Sequence, residues 1–177
     1  PDGKHLLMYT GVYRIIGEDS RLQDRQIQCV ALGDGVHYEK SHKNPVLTAA
    51  DLPEGSSVVD FRDPKLWYDD EEKRYYCVVG SRPADGSGAI LLYTSEDGES
   101  WSYVGVLDAC RNEYGRMWEC PDYFPLDGEY VLLVSPQEMK QQGLEFHVGN
   151  GTVCLMGDYD KKTHAFDRKR LHAIDYG

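Results

Sequence analysis

Two short segments carry residues suited to opening a glycosidic bond: Phe61-Arg62-Asp63-Pro64 and Trp118-Glu119-Cys120-Pro121-Asp122. Such chemistry needs two carboxyl groups in unlike surroundings, one holding a proton near neutrality and one charged. Arg62 would favour an ionised Asp63 and offer a fork of donors to sugar hydroxyls. Trp118 and Cys120 would strip water from Glu119 and so favour its protonated form. Taken singly, an Asp before Pro is a turn residue and a Glu is a solvated one. Aligned on their prolines, Asp63 matches Cys120 and Arg62 matches Glu119, so the two acids stand one position apart in otherwise equivalent settings.

Something must bring these distant segments together, and the sequence around them reads as strands. His5-Leu6-Leu7-Met8-Tyr9-Thr10, Arg74-Tyr75-Tyr76-Cys77-Val78-Val79, Ala89-Ile90-Leu91-Leu92-Tyr93 and Tyr130-Val131-Leu132-Leu133-Val134 are rich in β-branched, aromatic and other apolar residues and bounded by turn residues. Their near-continuous apolarity suits strands covered on both faces. Two turns repeat a D-G-x-x-aromatic chemistry, Asp34 to Tyr38 and Asp97 to Trp101, each ring being expected to pack on the next sheet. The wider Ser95-Glu96-Asp97-Gly98-Glu99-Ser100-Trp101 resembles an Asp-box turn, whose Asp and Gly make the bend.

A longer unit repeats as well. Pro64 to Asp69 leads into the Tyr75, Ala89 and Trp101 strands; Pro121 to Leu126 leads into the Tyr130 strand, Gly151 to Asp158, and Phe166 to Ile174. Four strands per unit predict an all-β fold, a β-propeller of four-stranded antiparallel blades. The N-terminal stretch supplies the last three strands of a further blade, giving roughly three blades; a β-sandwich is the alternative. First strands of blades line the central channel, so the two proline-marked segments would meet at one mouth.

The 177 residues carry a formal charge of −11 with 28% charged and 41% hydrophobic residues, the balance of a globular domain. That charge argues against nucleic acid and anionic membrane surfaces as partners. No apolar run approaches the ~18 residues of a membrane span. The five cysteines are scattered without C-x-x-C spacing, which favours a reducing compartment and hence a cytoplasmic over a secreted location. The six histidines lack ligand spacing, so neither a metal nor a cofactor is expected. The start at Pro1-Asp2-Gly3-Lys4 reads as a mid-domain turn, and the end at Asp175-Tyr176-Gly177 reads as a cut.

These segments resemble the β-fructosidases of glycoside hydrolase family 32, which include invertases. Phe61-Arg62-Asp63-Pro64 is similar to the family's R-D-P motif and Trp118-Glu119-Cys120-Pro121-Asp122 to its W-E-C-P-D motif. Leu7-Met8-Tyr9-Thr10-Gly11, Asp34-Gly35-Val36-His37-Tyr38-Glu39-Lys40, Asn44-Pro45-Val46, Phe124-Pro125-Leu126 and Gly157-Asp158-Tyr159-Asp160 match further family segments in order. The resemblance implies five blades, Asp63 as transition-state stabiliser, Glu119 as acid/base, and Arg62, Asp63, Glu119 and Trp118 in contact with a small carbohydrate. It places Asp122 and Cys120 where they could modulate the acid/base.

The resemblance also implies a nucleophilic Asp in a W-x-N-D-P-N-G motif, which these residues do not contain. Residues 1–177 are therefore expected to form part of a catalytic propeller domain, without the nucleophile blade or the C-terminal β-sandwich, and to be inactive alone. A fructosyltransferase on the same scaffold and a non-catalytic sugar-binding propeller are the competing readings. A WD-repeat protein is disfavoured because no G-H…W-D pattern recurs. Sucrose, sucrose 6-phosphate and fructans are the candidate substrates. Lys161-Lys162 and Arg168-Lys169-Arg170 are the basic clusters a phosphate would need. Open blade edges would invite self-association.

Overall fold

The computed structural model of the chain describes residues 3–17 and 19–174. The expected turn at Pro1-Asp2 and the terminal Asp175-Tyr176-Gly177 lie outside the described residues. Strands β1 (His5–Ile16), β2 (Leu22–Gly33) and β3 (Tyr38–Lys40) form one antiparallel sheet in that order. Strands β4 (Phe61–Asp69), β5 (Arg74–Ser81), β6 (Ala89–Ser95) and β7 (Ser102–Ala109) form a second. Strands β8 (Met117–Leu126), β9 (Glu129–Gln137), β10 (Val153–Asp160) and β11 (Ala165–Ala173) form a third, again in sequence order. Each of the last two sheets is thus a four-stranded meander, and the first supplies three strands, as the repeat predicts. These are three blades of a β-propeller.

Turn chemistry sets the meanders. Between β8 and β9, Asp127 and Gly128 both have positive φ (51° and 88°), the two-residue turn whose twist suits a hairpin. At the Asp-box turn, the Asp97 carboxylate accepts from the amides of Glu99 (2.8 Å) and Ser100 (2.6 Å), while Trp101 Nε1 donates to Gly98 O. Trp101 is buried, in the core that the second blade shares with the first rather than against the following sheet. Tyr38, at the matching turn, is not: its ring is exposed and tilts against His5, on the edge strand where Tyr38 and Glu39 pair with Gly33 and Leu32.

Two cores form, one in each seam between blades. Leu47, Phe61, Cys77, Val79, Leu91 and Tyr93 fill the seam between the first and second blades. The seam between the second and third is larger and more aromatic, with Tyr76, Trp118, Tyr123 and, partly buried, Trp67, Tyr130, Tyr159 and Phe166. Central strand β6 is apolar almost throughout and contributes to both cores, which explains its unbroken run. Packing both faces brings the inner strand β4 against β8 on one side and against β1 and β2 on the other.

Candidate active site

The two motifs lie at the start of the inner strands and share an irregularity. Between Arg62 and Lys65, two residues (Asp63 and Pro64) stand opposite one on β5; between Glu119 and Asp122, Cys120 and Pro121 stand opposite one on β9. Both are β-bulges, devices that re-aim side chains at sheet edges and sites. Asp63 and Cys120 have left-handed φ of 62° and 49°. A non-glycine residue pays about 1–2 kcal/mol for that conformation. Each bulge also takes its own amide out of the ladder, and a side chain from the preceding blade accepts it. Asp63 N donates to Thr10 Oγ1 (3.0 Å), and Cys120 N donates to the Asp63 carboxylate (3.0 Å).

Because the bulges match, equivalent residues face each other across the seam at a constant offset of 57 positions. Arg62 Nε donates to Glu119 Oε1 at 2.7 Å; Asp63 takes the Cys120 amide; Lys65 pairs with Asp122. The side chains of Arg62 and Glu119 are 17% and 25% exposed, so this pair is largely removed from water. The second Glu119 oxygen accepts from Gln137 Nε2 at 2.6 Å. Behind Arg62 stands Asp60, 3.1 Å from Nη1, which also pairs with Arg82 at 2.6 Å and accepts from Ser57 Oγ at 2.7 Å. Burial alone would raise the Asp60 pKa. The hydrogen bonds from Ser57 and Arg62 and the charges of Arg82 and Arg62 outweigh it and hold the carboxyl below the usual range. Burial likewise works against the Arg62 charge, but Glu119 and Asp60 keep it firmly protonated.

Several sequence expectations change here. Arg62 pairs with Glu119 and Asp60 rather than with Asp63. Trp118 is fully buried in the seam core, its Nε1 donating to Tyr114 O (2.8 Å), so its ring packs between the blades and does not wall Glu119. Cys120 is exposed, and Glu119 is surrounded by donors instead of the apolar wall expected from Trp118 and Cys120. Partial burial, then the Asp63 and Glu119 charges, push the Cys120 thiol pKa up. Asp122 is held by Lys65. Asp60, Arg82 and Gln137 were not singled out by the sequence. Of these, only the nearness of Asp60 to Arg62-Asp63 was a visible cue.

The basic clusters are engaged elsewhere. Lys161 pairs with Asp69 and Glu71 beyond the far end of β4, Arg168 with Asp108, and Arg170 with Glu129. A cavity of about 570 Å³ between Gly3–Lys4, Asp34, the 39–43 segment and Glu99 is lined by none of residues 61–64 and 118–122. Among the described residues, no three His, Cys, Asp or Glu side chains gather as a metal site.

Fold and site together define a propeller protein whose adjacent blades set carboxylates and a largely buried guanidinium side by side at the starts of β4 and β8. The family profile described as glycosyl hydrolases family 32 N-terminal domain matches residues 1–177, and the chain belongs to that family. It is 36% identical over 141 residues to a sucrose-6-phosphate hydrolase of Escherichia coli, covering 79% of this chain and 28% of that protein. It is 37% identical over 180 residues to a raffinose invertase of Escherichia coli, covering 99% and 35%. A solved β-fructofuranosidase of Bombyx mori superposes with a TM-score of 0.87 at 33% identity, covering 100% of this chain and 36% of that one. The chain therefore spans about a third of the length of these relatives.

Proposed function

We propose that this chain forms the middle blades of the catalytic propeller of a retaining β-fructofuranosidase. The observation that carries this reading is that the two motifs meet across the seam, Cys120 N donating to Asp63 and Arg62 to Glu119. Asp63 Oδ2 is anchored by Cys120, while no hydrogen bond engages Oδ1 among the described residues. That free oxygen suits a carboxylate that binds fructosyl hydroxyls while positive charge develops at the anomeric carbon. Arg62 fixes the orientation of Glu119 and adds donors beside it. Glu119 serves as acid/base: it protonates the leaving oxygen, then takes a proton from the incoming water. Both of its oxygens accept hydrogen bonds here, so in the acid step it exchanges one donor for its own proton.

In this reading the nucleophile is an Asp from outside residues 1–177, on a neighbouring blade, about 5–5.5 Å from Glu119 in the assembled site. The 177-residue chain alone then releases no fructose. Sucrose, sucrose 6-phosphate and fructans are the candidate substrates; Lys161, Arg168 and Arg170 are held in ion pairs away from the two motifs and do not select among them. The test is fructose release from sucrose by the full-length protein and its Glu119→Gln variant. A loss on the order of 10²- to 10⁴-fold in kcat supports the assignment. An inert full-length protein, on sucrose, sucrose 6-phosphate and fructans alike, sinks the enzyme reading in favour of sugar binding.

A further inference from the structure

The backbone that carries Arg62 and Asp63 is gripped from the neighbouring blade by three polar side chains. Phe61, the residue before the pair, donates its amide to Gln26 Oε1 (2.8 Å) and accepts from Gln28 Nε2 at its carbonyl (2.7 Å). Both backbone polar groups of Phe61 thus turn to β2 of the neighbouring blade rather than to β5. Gln26 Oε1 also lies 3.4 Å from Arg62 Nη1. Gln28 is fully buried, and its Oε1 accepts from Thr10 Oγ1 (2.9 Å), which itself accepts from the Asp63 amide. The Thr10 hydroxyl and the Gln28 amide form a continuous relay: Phe61 carbonyl, Gln28, Thr10, Asp63 amide. A buried polar side chain is costly unless paired, and Gln28 is paired to the strand that presents the site and to Thr10.

We infer that Thr10, Gln26 and Gln28 are positioning residues that fix Asp63 in its left-handed conformation and aim its free oxygen at the substrate. The inference rests on the reading of Asp63 as the transition-state stabiliser. The physical reason lies in the bulge. A residue with positive φ before a proline lies in a disfavoured region and relaxes unless its amide is held. The ladder cannot hold the Asp63 amide, because the extra residue takes it out of register. Thr10 supplies the acceptor, and Gln28 orients the Thr10 hydroxyl so that its lone pair, and not its proton, meets that amide. Without the relay, the Asp63 carboxylate would keep its charge but lose its place.

The test uses the full-length protein with sucrose. Thr10→Val keeps the shape and removes the acceptor; kcat is expected to fall on the order of tenfold to a hundredfold, as for a displacement of about 1 Å at a reacting group, with KM changing far less. Thr10→Ser restores most of the rate. Gln26→Ala, at a partly exposed side chain, gives the same direction of change without touching Thr10. A double-mutant cycle separates positioning from general stability. In an Asp63→Asn background Thr10→Val costs little more, whereas in a Glu119→Gln background it keeps its full effect. An unchanged kcat in both Thr10→Val and Gln26→Ala overturns the inference, as does a fully additive loss with Asp63→Asn. If Asp63→Asn alone leaves hydrolysis intact, the catalytic reading of Asp63 fails first and takes this inference with it.

Discussion

The bulge at Asp63-Pro64 and the bulge at Cys120-Pro121 share a backbone and differ in what they carry. Each sets two residues against one, and each puts a left-handed residue before a proline. Yet the first carries Arg62, Asp63 and Lys65, and the second carries Glu119, Cys120 and Asp122. The first is held by neutral groups, Thr10 and Gln26; the second is held largely by charge, through Asp63, Arg62 and Lys65. The difference explains why the acids in the two motifs are offset by one residue. Equivalent positions meet across the seam, so a repeat copied side chain for side chain would set arginine on arginine or glutamate on glutamate. The fold's repetition places the groups, and the departure from repetition makes them attract.

Making the two bulges alike should therefore do most harm. Arg62→Glu sets three carboxylates together, at positions 60, 62 and 119, in a place largely closed to water. Stability should drop by about 3–5 kcal/mol, the scale of breaking a buried pair, and read out as a lower midpoint in urea. A loss below about 1 kcal/mol would show that the pair is solvent-screened and that charge complementarity does not hold the seam. Next comes Asp63→Cys, which gives the first bulge the residue of the second. It leaves the ion pairs intact, so the thermal midpoint should move little. On the proposed reading, kcat on sucrose in the full-length protein should fall on the order of 10²- to 10³-fold. A small loss would mean that the carboxylate only anchors Cys120.

Much of this arrangement was legible in the sequence, and the parts that were not share a cause. The strand runs, the Asp-box turn and the pairing of two proline-marked entrances all rest on local patterns, and the structure has them. Side-chain direction near the bulges was not readable, because an extra residue breaks the period of two. Trp118 and Tyr123 have opposite parity along β8, yet both point into the same core, since a bulge lies between them. That is why the burial of Trp118 beside Tyr123 was not readable from its position. Thr10, Gln26 and Gln28 were hidden for another reason: their partners lie 33 or more residues away, except for the Thr10–Gln28 link. Nothing local distinguishes a glutamine that grips a neighbouring blade from one on a solvated strand face. Tyr38 misled because its turn repeats the chemistry of Trp101 on β3, the edge strand of its sheet.

Smaller effects sharpen the comparison by asking how far the charged ladder acts as a unit. Asp60 has a folded pKa below its unfolded value, which is about 3.9 for a free Asp. Its contribution is therefore fully present above that value and is lost as the pH falls through the lower, folded one. Asp60→Asn should cost about 1–3 kcal/mol near neutrality, and its thermal midpoint should converge on that of the unaltered protein as the pH is taken below about 4. A gap that stays constant with pH would mean that Asp60 acts by shape and not by charge.

The weakest rung is Lys65 with Asp122, whose side chains are 44% and 41% exposed against 17% and 25% for Arg62 and Glu119. Lys65→Met should cost only about 0–1 kcal/mol, shrinking further as salt is raised, because water and counter-ions screen a pair at that exposure. The two rungs stand on the same strands at the same offset and differ chiefly in burial and in the Arg62 fork. A Lys65→Met effect as large as that at Arg62 would mean that the rungs are coupled, and that the inner strands share their load along the whole seam. An effect near zero that leaves kcat untouched would confine the energetics and the chemistry to the bulge, where two left-handed residues, one guanidinium and one free carboxylate oxygen meet.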